Sequence, residues 1–263
     1  MGDEVKVLCV GDLIGDAGRS ALRDTLPKLK EEHHIDFVVA NGENAAGGFG
    51  ITRDIAADIF SMGVDAITSG NHIWKCKDVF AFIGDEKRLL RPFNYPEGTP
   101  GNGYTVFDVN GRKIAVLNLL GRTFMDAVDC PFRRGLHAVK AIEKETKIII
   151  VDFHAEATAE KQAMGYHLDG IVSAVTGTHT HVQTADERIL KNGTAYITDL
   201  GMCGGENSVI GIRRDAAIKR FVTNLPHKFE VDKEDPVLHG AVITIDASSG
   251  KATAIERIRA KKP

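Results

Sequence analysis

Gly177-Thr178-His179-Thr180-His181 sets two imidazoles two residues apart, just after an apolar run from Ile171 to Val175 that reads as a buried strand. In an extended chain, residues two apart project to one face, so His179 and His181 can aim two nitrogens at one point. Such a pair is either a metal-binding element or two ordinary loop residues, and the company it keeps decides between them. Four other strand-like runs end in residues of the same kind. Lys6 to Val10 leads to Asp12, Asp36 to Ala40 to Glu43 and Asn44, Val64 to Thr68 to Asn71 and His72, and Lys147 to Phe153 to His154. The set holds two carboxylates, two carboxamides and four imidazoles, all expected on one edge of a sheet.

With one carboxylate bridging, seven of these residues suffice for two metal ions and leave one histidine over. Mixed nitrogen and oxygen ligation suits Fe or Mn first, with Zn or Ni as alternatives, rather than Ca or Mg. Two divalent ions, two carboxylates and a hydroxide leave a small net positive charge, which suits an anionic phosphoester. Metals about 3.5–4 Å apart can supply hydroxide at neutral pH and clamp phosphoryl oxygens during in-line attack. The spare histidine, with an ordinary pKa near 6.5, can protonate the leaving oxygen. Taken singly, each residue has a plainer role. Asp12 could cap a helix, Glu43 with Asn44 and Asn71 with His72 could serve turns, and His154 could be a hydrogen-bonded core residue. Those plainer roles would all have to fall together at strand ends. His33, His34, His137, His167, His227 and His239 lack that placement and read as structural or surface residues. Trp74 reads as packing before substrate stacking.

The elements that must position this set alternate along the chain. Leu22, Leu26 and Leu29 share one face of a helix expected from about Arg19 to Glu32, with Pro27 as a mark against it. Thr52 is the expected N-cap of a helix to Met62. Strands alternating with helices imply a largely parallel sheet, and such sheets bind ligands beyond their carboxyl strand ends. The middle of the chain differs. Tyr104 to Val109 and Lys113 to Asn118 flank Asn110-Gly111, a strong hairpin signal. A helix is expected near Arg134 to Lys144, a strand at Thr194 to Thr198, and a last hairpin from Val237–Asp246 and Ala252–Arg259. Arg257 to Lys262 reads as a solvated basic tail. No repeat or linker divides the 263 residues, so one domain is expected over 1–263.

A net charge of −3 gives no basic footprint for bulk nucleic-acid binding. Four scattered cysteines suit reduced thiols better than a disulfide framework. The run Val5 to Val10 is too short for a signal-peptide core, and no stretch approaches the ~18 apolar residues of a membrane span. The expected location is the cytoplasm.

In these residues the chain resembles the calcineurin-like metallophosphoesterases. Gly70-Asn71-His72 matches their Gly-Asn-His block, His154 their lone histidine, and Gly177 to His181 their Gly-His-x-His block with one residue inserted. Asp12 lacks the usual histidine two residues on, and Asn41-Gly42-Glu43-Asn44 stands in place of Gly-Asp-x-x-Asp. Both departures are similar to the YmdB-like branch, as are Asp199-Leu200-Gly201-Met202 and Ser208-Val209-Ile210-Gly211. The resemblance implies a four-layer α/β fold, a two-sheet mixed β-sandwich flanked by helices. It implies that Glu43 bridges two metals, that Asp12, Asn44 and His181 complete one shell, and that Asn71, His154 and His179 complete the other. It makes His72 the proton donor, 2′,3′-cyclic nucleotides the substrates, and a homo-oligomer the assembly. The alternatives are a phosphomonoesterase or RNA nuclease with the same metals, a non-catalytic regulatory module binding RNA or protein, and a dinucleotide-binding oxidoreductase. Gly11, Gly15 and Gly18 lack the spacing the last requires.

Overall fold

Strand β1 runs from Glu4 to Leu13, and its side chains divide between two apolar layers. Val5, Val7 and Cys9 pack into one layer, Leu8, Val10 and Leu13 into the other. In β2 (Phe37–Asn41), Phe37 and Val39 join the first layer, Val38 and Ala40 the second. Strands buried on both faces lose polar alternation, which is why they appear in the sequence as continuous apolar runs. The protein is described by a computed structural model covering residues 4–262.

The remaining strands are β3 (Ala66–Thr68), β4 (Tyr104–Val109), β5 (Arg112–Leu120), β6 (Ile148–His154), β7 (Ala174–Thr178), β8 (Arg188–Ile189), β9 (Ala195–Ile197), β10 (Met202–Gly205), β11 (Pro236–Asp246) and β12 (Ala252–Lys261). They form two six-stranded sheets, ordered β12-β11-β10-β1-β2-β3 and β4-β5-β6-β7-β9-β8. Both are mixed. β1, β2 and β3 run parallel, as do β5, β6, β7 and β9, while hairpins supply the antiparallel edges.

Between the sheets lies a layer that includes Val7, Phe37, Ile114, Val116, Ile148 and Ile150. Helices α1 (Gly15–His33) and α2 (Arg53–Ser61) cover the first sheet through Leu22, Leu26 and Ile59. Helices α3 (Pro131–Ile142) and α4 (Thr158–His167) cover the second through Val139 and Met164. The result is the expected four-layer arrangement. Thr52 caps α2 by accepting from the Ile55 amide at 3.3 Å. Pro27 is tolerated because it and Arg23, whose carbonyl it leaves without an intrahelical donor, both face solvent.

Three expectations change. The strand before the histidine pair is Ala174–Thr178 rather than Ile171–Val175. Ile171 is instead in a turn, its amide donating to the Leu168 carbonyl. The Arg257–Lys262 segment is largely strand, not tail, with Arg257 paired to Glu187 at 2.7 Å and Arg259 and Lys261 to Glu206. Helices α4 and α5 (Arg214–Thr223) lie where no helix was expected. Among the described residues, no helix is long and apolar enough to cross a membrane.

Candidate metal centre

The ligand-type residues meet where strand ends of the two sheets face each other, not along one sheet edge. Asp12 ends β1, Glu43 and Asn44 follow β2, and Asn71 and His72 follow β3, all in the first sheet. His154 ends β6, and His179 and His181 follow β7, in the second. Close approach of the sheets here needs Gly70, because a Cβ would overlap the His154 ring and stand 2.5 Å from Glu43 Oε2.

His179 and His181 converge through a turn rather than by strand alternation. Their φ values are 100° and 65°, a region non-glycine residues enter only when held there. Asp199 does much of the holding. Its Oδ2 accepts from Thr180 N at 3.0 Å and Thr180 Oγ1 at 2.8 Å, and from the buried Lys161 ammonium at 2.6 Å. Asp12 Oδ2 accepts from His179 N at 3.1 Å.

The side chains fall into two groups with Glu43 touching both. In one, His154 Nε2 stands 3.1 Å from Asn71 Oδ1 and 3.0 Å from His179 Nδ1. In the other, His181 Nε2 is 3.7 Å from Asp12 Oδ1 and 3.3 Å from Asn44 Nδ2. Glu43 Oε1 lies 3.1 Å from His154 Nε2 and accepts from Asn44 Nδ2 at 3.2 Å, while Oε2 accepts from His72 N at 2.9 Å. The His72 ring sets Nδ1 2.7 Å from Asn44 Oδ1 and meets the Phe49 ring edge-on, centroids 4.9 Å apart.

These residues fit a cation. Ligand atoms of Glu43, His154 and His179 all lie within 4.8 Å of one another. Asp12 Oδ1 is buried without a hydrogen-bond partner, costly for a carboxylate oxygen unless a charge answers it. Imidazole nitrogens mixed with carboxylate oxygens are the donor set of transition metals.

Outer contacts that the sequence reading missed fix the imidazoles. His154 Nδ1 is 2.9 Å from Thr178 Oγ1, which donates to Asp152 Oδ1 at 2.7 Å. His179 Nε2 is 3.1 Å from Glu156 Oε2. Such partners hold the ring and leave the other nitrogen to ligate. Asp152 did have a signal, as the one carboxylate in an otherwise apolar strand. Lys161 and Glu156 had none. Trp74 is packing, stacked on Phe80 with centroids 5.1 Å apart.

Protonation of the metal-free centre follows from crowding. Burial pushes the Asp12 carboxyl up to about 6, against the pull of His181 and His154. Burial would also raise Glu43, but His154 and His72 hold it well below the carboxylate range. Burial and the charge on His154 press His179 down to about 3, so its imidazole is neutral and, with Nε2–H on Glu156, Nδ1 keeps a free lone pair for ligation. His154 goes the other way: burial disfavours its charge, yet Glu43 and Asp12 lift it from 6.5 to about 9. A proton held more tightly in the folded state stabilises it fully below pH 6.5, and that contribution is lost as pH rises through about 9. A metal must displace the same proton. Between pH 6.5 and 9, divalent-metal affinity is therefore expected to rise while metal-free melting temperature falls. Calorimetry in buffers of different ionisation enthalpy should show proton release on binding at pH 7. Affinity flat across this range would contradict the assignment.

Two stacked mixed sheets flanked by helices, with these residues converging from both, define a metallophosphoesterase-like α/β protein. The family model for YmdB-like proteins matches residues 8–258, and the chain belongs to that family. A 2′,3′-cyclic-nucleotide 2′-phosphodiesterase of Bacillus subtilis is 50% identical over 254 residues, 97% of this chain and 96% of its own. A putative phosphatase/phosphodiesterase of Mycoplasma genitalium is 38% identical, covering 98% of this chain and 93% of its own. The crystal structure of a Mycoplasma pneumoniae phosphatase superposes with a TM-score of 0.94 at 36% identity, covering all of this chain and 95% of that one.

Proposed function

We propose that the protein is a metal-dependent phosphodiesterase that hydrolyses 2′,3′-cyclic nucleotides. The observation that carries this reading is the convergence of Asp12, Glu43, Asn44, Asn71, His154, His179 and His181 beside His72. The half-identical Bacillus enzyme bears a name for this activity, which supports it. The two groups of side chains would hold two transition-metal ions, Fe or Mn before Zn or Ni, with Glu43 between them. Bound, such ions acidify water and neutralise charge developing on phosphoryl oxygens. One domain over 1–263, a homo-oligomeric state and a cytoplasmic location belong to the same proposal. Phosphomonoester hydrolysis is the second reading, favoured by the phosphatase names among the relatives.

Asn44 links ligation to proton transfer. Its carboxamide offers Nδ2 to His181 and Oδ1 to His72. Turning the amide over exchanges these atoms and gives up the Asn44 Nδ2–Glu43 Oε1 hydrogen bond of 3.2 Å, so it requires a cation between the two oxygens. The oxygen would then face the Asp12–His181 group, and the amide N–H would face His72 Nδ1. His72 would carry its proton on Nε2, poised to pass it to the ribose oxygen as the phosphorus–oxygen bond breaks.

His72→Gln is expected to slow hydrolysis of a cyclic nucleotide by ~10²–10⁴-fold, while sparing a nitrophenyl phosphodiester whose leaving group needs no proton. Equal losses on both substrates would assign His72 another role. The reading as a whole is tested with 2′,3′-cyclic AMP and chelator-stripped protein, before and after Mn(II) is restored. Turnover only with metal is expected. Metal binding without hydrolysis would defeat the proposal and favour the non-catalytic reading.

A further inference from the structure

Over the metal-capable side chains lies a cavity of about 390 Å³. That is within the ~300–1,000 Å³ usual for small-molecule sites. One side is the polar cluster, with Glu43, His72 and His181. The other is apolar and includes Phe49, Ile210, Phe221 and Phe229. Phe221 is 83% exposed and Phe49 43%, large aromatic surfaces left open at the mouth of a polar site. The acidic side chains lining the cavity are Glu43 and Glu156. Among the described residues, no lysine or arginine lines it, and nearby Lys161 is committed to Asp199.

This combination is selective. Sites that follow a nucleic-acid backbone join stacking aromatics to a positively charged groove. Here the aromatics are present and the charge at the rim has the opposite sign. Two metals can answer one phosphate, but a second phosphate would meet Glu156 in a partly desolvated cleft, where like charges repel more strongly than in water.

We infer that the cavity selects nucleosides carrying a single phosphodiester: the Phe49–Phe221–Phe229 wall receives the base, and Glu156 rejects ligands with a further phosphate. The inference rests on the phosphodiesterase reading and narrows its substrate class. Cyclic mononucleotides with a free 5′-hydroxyl fit this cleft; 5′-phosphorylated cyclic nucleotides and RNA strands do not.

Three cyclic diesters test it on the Mn(II)-loaded enzyme: adenosine 2′,3′-cyclic phosphate, its 5′-phosphorylated form, and ribose 2′,3′-cyclic phosphate without a base. Removing the base is expected to lower kcat/KM by ~10–100-fold, the range of base–aromatic stacking. Adding the 5′-phosphate should lower it by at least about tenfold at low ionic strength, and by less as salt is raised. Phe221→Ser should shrink the first ratio and leave the second. Glu156→Gln should shrink the second, since its amide oxygen can still accept from His179 Nε2–H while the charge is gone. Equal kcat/KM for the three diesters, or ratios unmoved in both variants, would overturn the inference while leaving the phosphodiesterase reading intact. Failure to hydrolyse any of the three with metal bound would instead overturn that reading, and the inference with it.

Discussion

Glu43→Gln is expected to abolish both metal retention and turnover. Glu43 is fully buried, and its two oxygens reach His154, Asn44 and the His72 backbone, so it is the common member of both side-chain groups. Glutamine preserves shape but removes the charge and replaces one acceptor with an amide nitrogen, which cannot ligate. Substitutions of outer partners already cost ~10–100-fold in metal affinity or activity, so a shared direct ligand should cost more than ~100-fold. Elemental analysis after dialysis and rates on 2′,3′-cyclic AMP check this together. A Glu43→Gln protein with native metal content and native rate would remove Glu43 from the centre.

The second large effect lies outside the cluster. Lys161 is 1% exposed and its ammonium sits 2.6 Å from Asp199, itself fully buried. Lys161→Met leaves a buried carboxylate without its counter-charge, a change that typically costs about 3–5 kcal/mol. Three donors remain on Asp199, from the Thr180 amide and hydroxyl and the Gly201 amide, which favours the lower end of that range. The melting temperature should fall by roughly 6–12 °C. Metal affinity should fall as well, because Asp199 secures the turn that holds His179 and His181 at positive φ. A melting temperature within about 2 °C of the native value would show that the pair contributes little.

The candidate ligands were legible because each ends or follows a largely buried strand, where a polar residue at the end of an apolar run stands out. Their supports were not. Lys161 lies in a weakly amphipathic helix, and nothing local marks its ammonium as buried. Asp199 stood out only through family resemblance, since its partners lie 19 and 38 residues away in sequence. The two sheets were foreshadowed by the Asn110-Gly111 hairpin in mid-chain. That the centre lies between them was not, because residues at strand ends look alike whichever sheet they terminate. Strand β7 was displaced by three residues because Ile171 and Val172 extend the apolar run while their backbone turns. Helix α5 escaped because its apolar residues, among them Ile218, Phe221 and Val222, are mostly exposed and do not form one inward face.

The seam between the sheets bears on when, during synthesis, the centre can exist. Asp12, Glu43, Asn44 and Asn71 leave the ribosome early, whereas His154, His179 and His181 follow some eighty to more than a hundred residues later. Each group of side chains draws from both halves, Asn71 with His154 and His179, Asp12 and Asn44 with His181. A nascent chain that stops before β6 owns oxygen donors but none of these three imidazoles, so it lacks the mixed donor set of the proposed centre. On the proposed metal-binding reading, loading would wait until the second sheet has docked, and a captured cation would bridge early and late parts of the chain.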